Sequence, residues 1–237
     1  MEAPSPCTPP SPIEIAGYPA TALELDLGPR RVRLYAVRAL ESLVDRGALL
    51  RGEAEPPYWA HLWSGARVLA SYLARFVPLA GRRVLEIGCG LALPGVTAAS
   101  CGADVTLVDV APEALAFATA SAAANGVRCA AVTGDFMRLA PTQRFDLVLA
   151  AEVAYDRERW LELAAVCGRH LAAGGVTYLA DGYRTDTRGF YAALAARGLD
   201  VHAIDVRAAE EGRPTPLRIA AIRRPALKRR GTPRPVL

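Results

Sequence analysis

Several features are missing from the 237-residue sequence, and each absence removes a class of protein. The five cysteines (Cys7, Cys89, Cys101, Cys129, Cys167) include no C-x-x-C pair, and their number is odd. That argues against a disulfide framework and a zinc site, and for a reducing compartment. Three scattered histidines, His61, His170 and His202, do not restore a metal centre, so no metal is expected. No apolar run reaches the roughly 18 residues that a membrane span needs. The first twelve residues, five of them Pro, lack the basic-then-apolar order of a secretion signal. A cytoplasmic, monomeric protein without a membrane partner is the expectation. Lysine is scarce against arginine, and much of the +4 net charge falls in Arg223, Arg224, Lys228, Arg229, Arg230 and Arg234. A basic terminus of that kind reads as a solvated end, and no specific nucleic-acid partner is expected from it.

What the chain does have is core-forming material and a rhythm. Hydrophobic residues make up 52% and charged ones 22%, the composition of a folded body. Residues 1–12 read as a disordered tail, 13–50 as a β-hairpin and helix appendage, 51–224 as the main domain, and 225–237 as a basic disordered tail. In the appendage, Ile13 to Gly17, Leu23 to Leu27 and Val32 to Val37 read as strands. Tyr18-Pro19 and Gly28-Pro29 supply turns, and a short helix is expected near Leu40 to Arg46. Val68, Leu69, Tyr72, Leu73 and Phe76 recur at helical spacing over 64–76.

From residue 82, strands alternate with helices of 10–15 residues. Strands are expected at 82–87, 104–108, 129–133, 145–150 and 176–180. Helices are expected at 92–100, 112–125, 157–171 (closed by Gly174-Gly175) and 185–197. That alternation implies βαβ units: an α/β, Rossmann-like, doubly wound and mainly parallel sheet. Two final strands, 201–206 and 217–222, have no helix between them and must form an antiparallel hairpin, completing seven strands.

The chemistry gathers at the strand ends. Glu86-Ile87-Gly88-Cys89-Gly90 closes the first strand of the domain, and a glycine turn there lets a ligand approach the backbone. A dinucleotide fold would want a third Gly where Leu93 stands, and a P-loop would want a G-K-[ST] that is absent. Glu86 so near the turn would repel a pyrophosphate and suits a ligand carrying an ammonium group. Asp109 ends the next strand, where an acid accepts hydrogen bonds from a ribose diol. Asp135-Phe136 follows the third, an acid and an aromatic suited to an adenine. Asp181 and Tyr183, after the fifth strand, stand where an acceptor pocket would have its border.

With these residues in place, the chain resembles the class I, seven-stranded S-adenosylmethionine-dependent methyltransferases. The E-x-G-x-G loop and the terminal antiparallel hairpin carry that likeness over 82–224. A narrower likeness covers 13–183. Pro57-Tyr58-Trp59-Ala60-His61-Leu62-Trp63-Ser64-Gly65 and Ala151-Glu152-Val153-Ala154-Tyr155 resemble motifs of the family 16 protein-lysine methyltransferase-like group. Within it the likeness points to bacterial relatives of the electron-transfer-flavoprotein β-subunit lysine methyltransferase. The group's acidic motif often begins with Asp where Glu152 stands, and a Pro commonly follows the Trp at Trp63. The resemblance implies S-adenosylmethionine as cofactor, lined by Trp63, Gly88, Gly90, Asp109, Phe136 and Ala151. The residue reading adds Glu86, Cys89 and Asp135. Glu152 and Tyr155 are the implied catalytic residues at the acceptor, a lysine of a protein substrate. A small-molecule N- or O-methyltransferase and a non-catalytic cofactor-binding scaffold are the alternatives.

Overall fold

The computed structural model describes residues 13–53, 55–140, 142–182, 186–210 and 213–225. The tails expected at 1–12 and, beyond Pro225, at the other end lie outside the described residues, as does Tyr183. The chain opens with β1 (Ile13–Ile15), β2 (Tyr18–Asp26) and β3 (Arg31–Val37), joined antiparallel in that order. The first turn falls at Ala16-Gly17, not at Tyr18-Pro19. Both turn residues have positive φ, the two-residue geometry that follows strand twist, and Tyr18 and Pro19 are already paired in β2. The single helix expected near 40–46 is divided. A 3-10 turn spans Leu40–Leu43 and α1 spans Arg46–Leu50, because the Asp45 side chain accepts from Ala48 N–H and starts a new helix there.

The main sheet is built from β4 (Arg83–Ile87), β5 (Asp104–Asp109), β6 (Ala130–Thr133), β7 (Phe145–Ala151), β8 (Leu171–Gly182), β9 (Asp200–Glu210) and β10 (Arg213–Arg223). Their order is β6-β5-β4-β7-β8-β10-β9. The first five are mutually parallel, and β10 runs antiparallel to both β8 and β9. The helices α2 (Ser64–Phe76), α3 (Leu93–Ser100), α4 (Pro112–Ala124), α5 (Trp160–Arg169) and α6 (Arg188–Ala196) cover its two faces. The seven-stranded, doubly wound α/β sheet with its antiparallel end is the architecture that the rhythm of the sequence implies.

The Gly174-Gly175 pair does not close a helix. α5 stops at Arg169, and the His170 carbonyl accepts from Phe145 N–H, which draws the chain straight into β8. The pairing jumps from Phe145↔Leu171 to Leu147↔Val176, so residues 172–175 loop out of register. Gly174 has φ +74°, and a side chain on Gly175 would meet the Phe145 carbonyl at 3.0 Å.

The N-terminal sheet is bound to the main body by its third strand. Arg33 N–H donates to Asn125 Oδ1 and Tyr35 N–H to Ser121 Oγ, while Asn125 Nδ2 donates to Arg33 O. Side chains of α4 thus occupy the backbone groups that an edge strand leaves open. Val32 and Leu34 on the inner side of β3 join Leu69, Leu73 and Phe117 in one buried core. Asn125→Ala removes the two hydrogen bonds that cross this seam and a third, local one to Ser121 O. It is expected to cost about 1–3 kcal/mol. In hydrogen exchange the amides of Arg33 and Tyr35 should lose protection before those of β4 and β7.

Candidate active site

The cavity sits beyond the carboxyl ends of β4, β5 and β7, where the glycine loop turns into α3. Its volume is about 290 Å³, at the small end of the ligand-pocket range of roughly 300–1,000 Å³. Two glycines form the floor. Gly88 has φ +57° and Gly90 φ +50°. A Cβ on Gly88 would stand 3.0 Å from Val153 Cγ1, and one on Gly90 would stand 3.1 Å from the Trp59 carbonyl. Backbone conformation and close packing therefore both demand glycine at these points.

Asp109 holds this loop. Its Oδ2 accepts from Gly90 N–H at 2.8 Å and its Oδ1 from Ala111 N–H at 3.0 Å, so one carboxylate joins the ends of β4 and β5. Each oxygen keeps a further lone pair, and the residue lines the cavity. A ribose diol is the kind of donor pair such a carboxylate accepts.

Glu86 stands elsewhere. Its side chain is buried and turns away from the cavity beneath α3, where Oε2 accepts from Gly95 N–H at 2.8 Å. Burial raises its pKa to about 8, against the hydrogen bond from Gly95, with Asp109 adding to the rise. A neutral carboxyl facing a helix backbone is not positioned as the ammonium partner expected of it. Its place is a cap that fixes α3 to the loop. Gly95 is glycine for the same reason, since a Cβ there would collide with Glu86 Oε2. Asp135 is likewise outside the cavity lining. Its carboxylate accepts from Met137 N–H and is ion-paired with Arg159 at 2.9 Å. Partial burial pushes its pKa up, but those hydrogen bonds and the nearby arginines outweigh burial and hold it below the ordinary value.

Trp63, Gly88, Cys89, Gly90, Asp109, Phe136, Ala151, Glu152 and Tyr155 do meet around the one space. Cys89 is nearly enclosed, and burial pushes its thiol well up, so it fits as a small lining residue and not as a thiolate. Among the described residues there is no cluster of three metal-type ligands.

Glu152 is, with Ala92, one of two non-glycine lining residues in the left-handed region. It follows β7 with φ +57°, a left-handed conformation uncommon for a residue with a side chain. Its backbone N–H donates to Ala180 O, which ties the strained residue to β8. Its carboxylate lies between two glycines. A Cβ on Gly65, in the first turn of α2, would sit 2.8 Å from Glu152 Oε1, and one on Gly182 would sit 3.1 Å from it. Gly182 N–H points at Oε2 at 3.4 Å. The helix end favours the negative charge held there.

An aromatic wall closes the mouth. The Tyr58 and Tyr155 rings lie 5.7 Å apart at 34°, the Tyr58 and Trp63 rings 6.3 Å apart, and His61 meets Trp63 edge-on at 4.4 Å. Trp63 Nε1 donates to Tyr58 O, which locks the segment as a unit. Tyr155 is 59% exposed, at the rim. Its hydroxyl pKa is raised by burial on its inner side and by Glu55 and Asp156. Trp59 turns inward instead, with ring contacts to Tyr18 and Phe117, and so links the N-terminal sheet, α4 and the loop. Tyr58, Glu55 and Val153 were not picked out from the sequence as site residues. Tyr58 could have been, since it sits five residues before Trp63 in the aromatic motif; Glu55 and Val153 carry no such signal.

With this geometry in view, residues 84–175 match a family model described as a methyltransferase domain. Protein N-lysine methyltransferase METTL21A of Danio rerio is 36% identical over 129 residues, covering 51% of this chain and 58% of that protein. Electron transfer flavoprotein beta subunit lysine methyltransferase of Danio rerio is 31% identical over 114 residues, covering 45% of this chain and 44% of that protein. Other similar proteins are named for histidine or arginine as the methylated residue. The matched stretch spans about half the length of these curated relatives. The fold is shared with ribosomal protein L11 methylase from Lactobacillus delbrueckii subsp. bulgaricus, at TM-score 0.57 and 21% identity, over 69% of this chain and 81% of that one. Residues 84–175 are thus similar to a methyltransferase domain, and the fold is one shared with a solved methylase. The chain's likeness lies with the protein-lysine-methyltransferase-like group.

The buried Glu86 gives the fold a pH signature. Its folded pKa, about 8, lies above the ordinary carboxylate value, so the folded state keeps a proton that the unfolded chain releases. Stability from this group is fully present below about pH 4.5 and declines as pH rises toward 8. His170, whose pKa burial lowers to about 4, works in the opposite sense but only below about pH 6.5. Between pH 6.5 and 8 the unfolding free energy should therefore fall by about 1–2 kcal/mol. Glu86→Gln, which keeps an acceptor for Gly95 N–H, should flatten that fall in denaturant melts. A slope in Glu86→Gln equal to that of the parent would show that Glu86 is ionised in the fold.

Proposed function

We propose that this chain transfers a methyl group from S-adenosylmethionine to a side-chain nitrogen of a protein, a lysine first among the acceptors. The observation that carries this reading is Glu152, a carboxylate held in a strained backbone conformation at the lip of a glycine-floored cavity and beside an aromatic mouth. The residues fit the cofactor. Asp109 suits its ribose, and Phe136, Ala151 and Trp63 border the space where its rings would pack. When bound, S-adenosylmethionine supplies a methyl carbon made electrophilic by its sulfonium.

The rest of the work falls to the chain. A lysine amine has a solution pKa near 10.4 and is charged at neutral pH, whereas attack needs its lone pair. Tyr58, Tyr155 and Trp63 exclude water from one side of the amine and disfavour the charged form. Glu152 accepts a hydrogen bond from the incoming N–H, so the nitrogen is oriented before it reacts. The aromatic wall at the rim admits a side chain presented from outside by a larger molecule. The expected monomeric state, the cytoplasmic setting and the assignment of 51–224 as the catalytic part belong to the same reading. The sequence similarity to named protein methyltransferases supports it.

Labelled methyl from S-adenosylmethionine, added to a lysate of the native host and resolved by gel and extraction, tests the reading. A discrete protein band is expected, reduced about 100-fold or more in Glu152→Gln, with cofactor affinity by calorimetry within about two-fold of the parent. Unchanged turnover in that variant would remove Glu152 from the mechanism. Label confined to the small-molecule fraction would replace the protein acceptor with a small one. Tyr58→Ala should raise KM for the acceptor by more than it lowers kcat, because the ring positions the acceptor and does not touch the methyl carbon.

A further inference from the structure

The opposite end of the same sheet carries a second feature. β4 to β8 begin there, β10 ends there and β9 starts there. Arg82 and Arg83 stand at the start of β4, Arg128 ahead of β6, Arg144 ahead of β7 and Arg169 at the end of α5. Arg197 follows α6, and Arg223 and Arg224 close β10. Only three acids, Asp104, Asp146 and Asp200, share these strand ends. Eight arginines against three aspartates is a surplus of five, where the whole chain has +4. This edge is thus a local concentration of positive charge, separate from the four basic residues Lys228, Arg229, Arg230 and Arg234 further along the chain.

None of these eight guanidiniums is ion-paired among the described residues. Arg169 turns partly inward, its Nη2 donating to the Phe136 and Met137 carbonyls and its Nε buried, while Arg224 Nη2 donates to the Leu171 and Ala172 carbonyls and Arg144 Nη1 to that of Arg169. Arg169, Arg197, Arg223 and Arg224 rim one open groove of about 1090 Å³, with Asp200 its only acid. Favourable interaction with helix C-termini explains Arg169 and Arg197, but the other six lie on strands or loops. From β6 to β10 is five strand spacings, so the row is roughly 24 Å long.

We infer that this edge binds the phosphate backbone of a single-stranded nucleic acid, with the groove at α5, α6 and β10 as its strongest point. Guanidinium forks match phosphate oxygens two at a time. A row of this length meets several phosphates of one chain, whereas a free phosphate or nucleotide would use only the groove. The inference does not rest on methyl transfer, since the edge lies a full strand length from the cavity. It would, however, hold the enzyme near acceptor proteins that are themselves bound to RNA.

Fluorescence anisotropy of the full chain with a labelled 12-nucleotide single-stranded RNA tests it. Binding is expected at 50 mM salt, weakening steeply with added salt. Arg197→Gln with Arg223→Gln should lower the slope of log affinity on log salt by about 1.4, with methyl transfer retained. Arg128→Gln with Arg144→Gln, at the other end of the row, should lower it similarly and guards against a local packing effect of the first pair. Absence of binding at 50 mM salt would overturn the proposal. So would binding that survives both pairs and is lost only when Lys228, Arg229, Arg230 and Arg234 are replaced by Gln. Polyglutamate binding as tightly as the RNA, with the same dependence on the row, would overturn the assignment to nucleic acid.

Discussion

The site depends first on the carboxylate of Asp109 and the two backbone N–H groups it receives. A loop with two left-handed glycines and only the small Cys89 between them has little side-chain bulk to fix its shape, and it must stay open to a ligand on one side. Asp109 resolves that conflict from the neighbouring strand. By accepting from Gly90 and Ala111 it ties the loop after β4 to the start of α4. The parallel register of β4 and β5 is what brings the two strand ends level. On the far side of the loop Glu86 does the corresponding work, joining β4 to the first turn of α3 through Gly95. The floor of the cavity is thus held by two acids that differ in setting. Asp109 borders the space for a ligand, whereas Glu86 is enclosed under a helix and its pKa is raised accordingly.

The N-terminal sheet serves the site through a chain of ring contacts. β3 is fastened to α4 by Asn125 and Ser121, and Tyr18 of β2 meets Trp59, which in turn meets Phe117 of α4. Trp59 then places its carbonyl over Gly90. The next residues carry Trp63 and His61 to the cavity mouth. An appendage that could be read as a cover for a sheet edge is therefore continuous with the wall of the cavity.

Much of this was legible in the sequence because it is periodic or local. The helix over 64–76 and the alternation after residue 82 follow from apolar spacing, and the antiparallel end follows from a missing helix. The convergence of Gly88, Gly90, Asp109 and Phe136 follows from the rule that ligands sit beyond the carboxyl ends of parallel strands. What stayed hidden depends on where a side chain turns. Glu86 and Asp135 have the residue type and position of ligand-binding acids, yet one turns under α3 and the other pairs with Arg159, twenty-four residues away. Spacing along the chain cannot separate a carboxylate that faces a cavity from one that faces a helix or an arginine. The Gly174-Gly175 pair misled for a related reason: the glycines permit a bulge within β8 as readily as the end of a helix, and the contact that decides is the distant Phe145.

A parallel sheet is polar, and that polarity divides the chemistry of this chain between two ends. At the carboxyl ends of the strands, the loops leave backbone N–H groups and helix N-termini facing the ligand space, which is why acids such as Asp109 and Glu152 are held there at low cost. At the amino ends the helices finish and their carbonyls face outward, an environment that favours cations. The arginines of that edge are more numerous than the helix ends require, and none of the eight is ion-paired among the described residues. Repulsion among like charges works against the compact state unless a counter-charge is supplied. The same sheet direction that gathers a glycine-floored cavity at one end thus leaves, at the other, a row whose positive charge calls for an anionic partner.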